Sequence, residues 1–571
     1  MRFLPNHPVL QYCTVTHLTT GASVVAAASP SPAKIEGVVY PSLRWNEDGQ
    51  AGMCGESVIT TIGTNAVLVG VVAYRVTGKP LTGCTMLSKE WFENVLRQRP
   101  EPIVTTVVVE FPGSVDEIQP LAIKSELRNV PSINIIPIGT LPGGSSKFHT
   151  GLKETPVKSV FERLLTEPYL PPGKVRGLFE GEWHSDLMNS CKNINLTCDL
   201  QRDEADAAIK HYLDSAFPLD FIKAHNIKLS PLTFEQAFFG DEKLGVSRID
   251  FKTSVGAYLR EIGVHNKWDM FPQEGDLRVF RADVKARVDA LVADLKNGIV
   301  HTPFSDLVRK DELRKKGKID KFQIRLFCVM DAAWNIVVRM FVMPILVYML
   351  QFPHLTECYG GINAGSSAWN DFAQHLRRGT LRKYFDEDFS SYDFSHDSPI
   401  FEAAARAHFQ MALRLGYSEP AASIVYLIYA SLWWQTARYV RDIFFKLTGM
   451  PSGSVVTLEL NSFVNSFLMR VVWFRVFGSL CDFSANFTMG TVGDDNACSV
   501  EAEFADRFNM IAVEPHYRRL GYVVTPAKKS NVAVPTIPFE ELTFLKRSFT
   551  WSTALGQSVG PIERDSIWKS F

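Results

Sequence analysis

Apolar and polar positions follow two different rhythms along this chain. Between residues 58 and 74 the run VITTIGTNAVLVGVVAY is rich in β-branched residues on both sides of a Gly-Thr-Asn turn, which predicts two strands. From about 100 to 150 the pattern loosens into Pro and Gly clusters such as LPGGSS at 141–146, and a domain boundary is expected near 85–130. Residues 280–298, FRADVKARVDALVADLKNG, repeat at helical spacing and meet a stop at Gly298. The most apolar run, MFVMPILVYML at 340–350, is too short to cross a bilayer and contains Pro344, so it predicts a buried helix. Residues 398–440 read as two helices broken near GYSEP at 416–420. Residues 487–500 read as strand, tight turn, strand, with Gly493-Asp494 as the central pair of the turn, Gly first. The C-terminal half is therefore mixed α and β, with acidic residues at strand ends. No internal repeat and no long low-complexity tract interrupts it.

Composition changes this picture little. A length of 571 residues allows roughly three or four domains. The formal net charge of -1 removes any overall basic bias, so a nucleic-acid site must be a local patch. The nine cysteines are scattered with no C-x-x-C pair, which argues against a disulfide framework or zinc site and suits a reducing compartment. The N-terminal MRFLPNHPVLQY is too polar for a signal peptide.

The candidate chemistry starts at TVGDDNACS, 491–499, where Asp494 and Asp495 stand side by side between apolar runs. Burying adjacent like charges is costly unless a cation answers them. A second acidic cluster, YFDEDFSSYDFSHD at 384–397, places Asp388 and Asp393 five apart after an aromatic, strand-like segment. A strand end followed by a helical turn would aim both into one cleft; a solvated loop with an N-cap Asp is the plain alternative. Joined with Asp494, the set suits Mg²⁺, which takes a few carboxylate oxygens and completes its shell with phosphates and water. Two such ions can activate a 3′-hydroxyl and stabilise a leaving pyrophosphate.

Between the clusters, GMPSG at 449–453 is a small-residue loop whose Ser452 and Gly453 would let backbone approach a nucleotide. Thr457 and Asn461, four apart on the following helix, offer short polar groups to a ribose; Ser452 as the helix N-cap is the structural alternative. Upstream, residues 308–327 hold eight basic residues and three acids, either a solvated face or a cationic wall for phosphates. Downstream, Lys529 follows a Thr-Pro turn in VVTPAKKS and would be placed to protonate a leaving pyrophosphate.

In this order, KDELR with IRLF, DFSSYD, GMPSGSVVTLELN, VGDD, TPAKKS, LTFLKRSF (542–549) and KTSVG (252–256) resemble motifs F, A, B, C, D, E and G of the RNA-dependent RNA polymerases of picorna-like positive-strand RNA viruses. The resemblance runs over most of residues 145–571. It implies an α/β (α+β) right-hand fold of fingers, palm and partial thumb. It implies fingers over 145–340 after a junction at 101–144, palm with motif A over 341–398, fingers and palm helices over 399–445, palm with motifs B, C and D over 446–540, and motif E with the start of a thumb over 541–571. It makes Asp388 and Asp494 the principal metal ligands, with Asp495 assisting and Asp386 as a rival to Asp388. Asp393, Thr457 and Asn461 would recognise the ribose 2′-hydroxyl, beside Ser452 and Gly453. Arg314 and Arg325 would handle the triphosphate, Lys310 and Lys318 would line its channel, and Lys529 would be the general acid. Phe544, Leu545, Lys546 and Arg547 would form the primer grip; Thr253, Ser254 and Gly256 would meet the template. Gln323 stands where many relatives carry a second lysine, and SVGAY lacks the usual Gly-Tyr-Pro.

GQAGMCGES, 49–57, resembles the nucleophile loop of the chymotrypsin-like cysteine proteases that precede such polymerases. Residues 1–100 are thus expected to be the all-β C-terminal barrel of that protease, with Cys54 as the nucleophile. Only 53 residues precede Cys54, so the His and acid of the first barrel are expected to lie outside this sequence, with His7 and His17 as the weaker candidates for the base, and Val72 stands where the family usually has a His. About 20 residues follow FLKRSF, so the chain is expected to be an internal piece of a polyprotein. The resemblance implies two Mg²⁺ ions, with Mn²⁺ able to substitute. It also implies RNA template and primer, nucleoside triphosphates, a genome-linked protein primer and other viral replication proteins as partners, no transmembrane segment, and work in the host cytoplasm at membrane-associated replication sites. The competing readings are a catalytically impaired RNA-binding fragment, a working cysteine protease, and a reverse transcriptase, which the Asp393–Asn461 pair disfavours.

Overall fold

The computed structural model describes residues 196–569 apart from 275–276, 322, 434, 447–448 and 528–533, together with segments between 104 and 191 and the strands between Arg2 and Met86. Those N-terminal strands form a sheet in the order Arg2–Phe3, Asn65–Arg75, Ser57–Ile62, Tyr12–Thr16, Ser23–Ala28, Ser42–Trp45, Thr82–Met86, with a further pairing between Asn65–Arg75 and Thr82–Met86. The strand pair expected around Gly-Thr-Asn is present and antiparallel. Cys54 lies outside the described residues.

The segments expected to form the palm build a four-stranded antiparallel sheet in the order Phe487–Val492, Asp495–Glu501, Arg382–Phe389, Val524–Pro526. Its residues alternate between two cores, as the two-residue period of a strand requires. Phe385, Cys498 and Val500 join the main core. Ala497 turns to a second one, packed with Trp369, Phe372, Phe544 and Phe549, and Tyr384 lies against it. Two aromatic rings there, Trp369 and Phe549, stack at 4.9 Å. Pro526 sits in the last strand, not in a turn as its Thr-Pro context suggested. That strand is at the sheet edge, where a residue without an N–H breaks no ladder.

A five-stranded sheet of the fingers runs Ile135–Thr140, Asp442–Lys446, Gln435–Tyr439, Phe304–Arg309, Leu326–Met330. The expected helix pair is present as Ser398–Arg414 and Glu419–Ala430, but 435–440 is not helical. QTARY pairs in parallel with Phe304–Arg309, so non-local pairing overrides local pattern. Helix Ala282–Lys296 ends as expected, with Gly298 at φ 73°. The apolar run 340–350 belongs to helix Ala332–Gln351, capped by Asp331 accepting from Ala333 N at 3.0 Å. This helix is long and apolar enough to span a membrane, yet most of its side chains are buried in the main core. At its C-terminal end Arg470, itself buried, makes a two-pronged pair at 2.8 Å with Glu357 and ties the palm's longest helix, Thr457–Phe477, to the loop that follows.

One ionic cluster stitches the fingers together. His301 contacts Glu110 at 2.8 Å and Asp294 at 2.7 Å, and Arg287 bridges Glu110 and Asp331. Burial works against both charges, but the His301 hydrogen bond and Arg287 hold the Glu110 carboxyl down at about 2. Burial likewise opposes the imidazolium, yet Glu110 and Asp294 raise the His301 pKa above its ordinary value. The two contributions have opposite pH limits. His301 stabilises fully below its unfolded pKa, and the gain is lost as pH rises through the higher folded value. Glu110 stabilises fully above its unfolded pKa of 4.5, and the gain is lost as pH falls toward about 2. The stability gap between the wild type and His301→Ala should therefore be widest, about 2 kcal/mol, between roughly pH 4.5 and 6.5, and narrow on both sides. Denaturant melts at pH 3, 5.5 and 9 check this; a gap unchanged at pH 9 would refute the charged pairing.

Candidate active site

The carboxylates meet where strand ends are turned back. Strand Arg382–Phe389 delivers Asp388, Ser391 reverses the chain at φ 55°, and the 3₁₀ turn Tyr392–Phe394 carries Asp393. The hairpin Phe487–Val492 to Asp495–Glu501 turns at Gly493, φ 66°, and Asp494. Helix Thr457–Phe477 supports this turn from below. Gly493 N donates to Ser462 Oγ at 3.0 Å, and Asn465 Nδ2 donates to Gly493 O at 3.1 Å. Asn496 Nδ2 in turn reaches Asn465 Oδ1 at 3.0 Å and Glu387 Oε2 at 2.7 Å.

The acidic groups lie near enough to feel one another's charge. Asp494 borders solvent, but the cleft walls displace bulk water around it. That desolvation pushes its pKa up, and the charges of Asp393 and Asp388 push it further, against a pull from Arg325. Asp495 is pushed up to about 7, first by burial and then by Asp494, Asp386 and Asp388. Burial raises Asp393 too, while its Asn461 hydrogen bond, Arg325, Lys446 and Lys310 act the other way. Among the described residues no three His, Cys, Asp or Glu side chains form a ready-made metal cage. A set of convergent, mutually repelling carboxylates with hard oxygen donors still fits an ion such as Mg²⁺, which takes much of its shell from water and phosphates.

Asp393 and Asn461, 68 residues apart, are joined: Asn461 Nδ2 donates to Asp393 Oδ1 at 2.6 Å. Behind them, His396 lies 2.9 Å from Asn461 Oδ1, and Tyr522 lies 2.8 Å from the other ring nitrogen. Facing the acids, Lys310, Arg314 and Arg325 converge on Glu312 at 3.7, 3.5 and 3.5 Å. Arg325 is about half exposed at its side chain, and its charge is felt by both Asp393 and Asp494. Lys318 sits on the short helix Lys316–Asp320.

Other expected site residues are engaged inside the protein. Ser452 is not the helix N-cap; that position is Val456. Instead Ser452 Oγ accepts from Cys328 N at 3.4 Å, and a Cβ on Gly453 would lie 1.7 Å from Cys328 O. The loop thus approaches the fingers strand Leu326–Met330. Thr457 Oγ1 donates to Ser454 O at 2.6 Å. Gly256 packs on Asp331 backbone, Ser254 Oγ accepts from Arg260 at 2.6 Å, and Thr253 Oγ1 donates to Asp250 O at 2.8 Å. Arg547 donates to Gly560 O at 2.6 Å, leaving Lys546 exposed at the tip of the hairpin. That tip holds Leu545 and Lys546 both at positive φ, 54° and 57°, and Asp495 Oδ2 accepts from Leu545 N at 3.2 Å. Lys529 lies outside the described residues.

A family model for viral RNA-dependent RNA polymerases matches residues 206–571, well over half of the chain. This chain belongs to the viral RNA-dependent RNA polymerase family. Its relatives include the replicase polyproteins of cricket paralysis virus, 24% identical over 75% of this chain and 25% of that one, and of acute bee paralysis virus, 25% identical over 77% and 23%. The genome polyprotein of human enterovirus 70 is 26% identical over 61% of this chain and 14% of its own length. The chain spans about a quarter of the length of the first two. Among solved structures, the Sicinivirus 3Dpol RNA-dependent RNA polymerase overlays with a TM-score of 0.60 at 20% identity, covering 74% of this chain and 84% of that one. The fold is the right hand of the picorna-like viral polymerases.

Within this polymerase fold, Asp386, the rival to Asp388, has partners of its own inside the protein. Asp386 is buried and accepts from Thr543 N at 2.9 Å, Thr543 Oγ1 at 2.8 Å and Ala527 N at 3.3 Å. It clamps the palm to the segments that follow it. Sequence reasoning did not single out His396, Tyr522, Glu312, Ser462 or Asn465. Only Asn465 left a signal, four residues beyond Asn461 on one helix face.

Proposed function

We propose that this chain carries out RNA-templated RNA synthesis, joining nucleoside triphosphates to an RNA 3′-hydroxyl in viral genome replication and transcription. The observation that supports this most is one cleft in which Asp388, Asp494 and the Asp393–Asn461 pair face Arg325. Asp388 and Asp494, with Asp495 beside them, would hold two Mg²⁺ ions, or Mn²⁺ in their place. Bound there, the metal would activate the 3′-hydroxyl and offset charge on the departing pyrophosphate. Arg325, Arg314, Lys310 and Lys318 orient the triphosphate. Asp393 accepts from, and Asn461 donates to, the ribose 2′-hydroxyl. Ser452, Gly453 and Thr457 shape the floor of the nucleotide site. Lys546, with Leu545 and Arg547, steadies the primer; Thr253, Ser254 and Gly256 shape the template path; Lys529 is the proposed general acid. Template and primer RNA, a genome-linked protein primer and other replication proteins are the proposed partners, at membrane-associated sites in the host cytoplasm. The pairing of the described strands between Arg2 and Met86 supports reading that segment as a protease remnant, with Cys54 as its nucleophile and inactive in this chain.

The test is incorporation on a primed RNA template with ribo- or deoxynucleotides and Mg²⁺. Preference for deoxynucleotides, or equal incorporation without template, would sink this reading. A paired comparison sharpens it. Asp386→Asn should lower stability by about 1–3 kcal/mol, because three donors, two of them buried, lose a charged acceptor. Asp388→Asn should melt like the wild type and lose incorporation. The reverse pattern would reassign the metal ligand to Asp386.

A further inference from the structure

Three polymerase segments that are far apart in sequence meet in a single buried file of hydrogen bonds. It begins at Tyr522, ahead of strand Val524–Pro526, passes through His396 beyond the 3₁₀ turn, reaches Asn461 on helix Thr457–Phe477, and ends on Asp393. Tyr522 is 1% exposed, His396 0% and Asn461 4%. None of these links is optional for a group cut off from water, since an unmet buried donor or acceptor is costly.

The file has a direction. Asn461 must present its N–H side to the Asp393 carboxylate, which can only accept. Its Oδ1 is then left facing His396, so His396 Nε2 must carry the proton and donate. His396 Nδ1 is then an acceptor, and the Tyr522 hydroxyl donates to it. Burial holds the His396 pKa down at about 4, in keeping with a neutral ring that donates on one side and accepts on the other. The ring is also fixed in place, edge-on to Tyr392 at 4.7 Å, while Tyr392 OH donates to the Asn461 backbone carbonyl at 3.0 Å.

We propose that His396 and Tyr522 are positioning residues for nucleotide selection. They fix which way the Asn461 amide faces, and so the ability of the site to tell a ribose from a 2′-deoxyribose. This rests on the polymerase reading above, and neither residue touches the nucleotide. A 2′-hydroxyl needs an acceptor and a donor set at one distance. When it competes with Asn461 for Asp393, the contact among the described residues that still holds the amide in register is His396 Nε2–H. Without that contact Asn461 can turn its Oδ1 toward the incoming hydroxyl's oxygen and the recognition pair is lost. A deoxyribose makes no use of the pair and should be indifferent.

The test compares kcat/KM for a nucleoside triphosphate and its 2′-deoxy analogue on primed RNA, and their equilibrium binding by calorimetry. His396→Leu should lower the ribo-to-deoxy ratio about tenfold, through the ribonucleotide alone. His396→Gln, which returns an amide donor near the Nε2 position, should recover most of it. Tyr522→Phe removes one oxygen and keeps the ring, so it decides the matter even if His396→Leu fails to fold; about a threefold fall is expected. Equal losses for both nucleotides, or a ratio unchanged in Tyr522→Phe, would overturn the proposal. If the wild type binds ribonucleotide preferentially but incorporates nothing, and Tyr522→Phe abolishes that preference, the positioning role stands and the polymerase reading falls. If binding shows no ribose preference, both fall.

Discussion

Asp494→Ala should reduce nucleotide incorporation about a thousandfold or more while leaving the melting temperature at or slightly above that of the wild type. The two halves of this result have one cause. Desolvation, then Asp393 and Asp388, push the Asp494 pKa up, so its carboxylate is held in place against repulsion. Removing it relieves that repulsion in the empty cleft and deletes a proposed metal ligand in the loaded one. The turn itself survives, because its hydrogen bonds to Ser462 and Asn465 run through the Gly493 backbone. Labelled ribonucleotide incorporation beside a thermal melt reads both. Equal incorporation would remove Asp494 from the metal site; a large fall in melting temperature would make it a structural residue.

Gly453→Ala should destabilise the protein by about 3 kcal/mol or more, well beyond what one methyl group suggests. An added Cβ would lie 1.7 Å from Cys328 O and 2.9 Å from Cys328 C, both backbone atoms of a strand inside the fingers sheet. Neither can swing aside as a side chain would. The loop must lift, breaking the Ser452 contact to Cys328 N and the Asn335 Nδ2 donation to Gly453 O at 3.1 Å. Incorporation should fall with it, since this loop leads into the helix that carries Asn461. Gly365→Ala is the control, because its Cβ would meet only Asn363 Oδ1 at 3.5 Å, an ordinary contact. A Gly453→Ala variant as stable as Gly365→Ala would mean that the loop does not press on the strand.

Much of this was legible in one dimension. The hairpin at Gly493-Asp494, the turn that aims Asp393, the stop at Gly298 and the break near GYSEP each follow from local chemistry, because a positive φ, a helix end or a tight turn restricts residue type within a few positions. That Asp393 and Asn461 belong to one site was also anticipated, from residue types suited to a ribose hydroxyl and from the resemblance, and the two side chains are hydrogen-bonded. Readings that depended on the neighbourhood fared differently. QTARY looked like the end of a helix and is a strand, since its partner Phe304–Arg309 lies 132 positions earlier at the Asp306–Arg438 step. The helix cap offered as the alternative for Ser452 is not found; its hydroxyl lies against Cys328.

By itself, then, the sequence determined the order of the motifs, the kinds of functional group they carry and the family to which they belong. Tertiary structure alone decided the assignments between like residues. Asp386 and Asp388 share a strand and a residue type, but three donors from Thr543 and Ala527 commit Asp386 to the framework. His396 is an ordinary residue in the sequence and a hydrogen-bond partner behind Asn461 in the fold. The reason is physical: a side chain's role depends on which partners and how much water surround it, and the chain brings those partners together from hundreds of residues away.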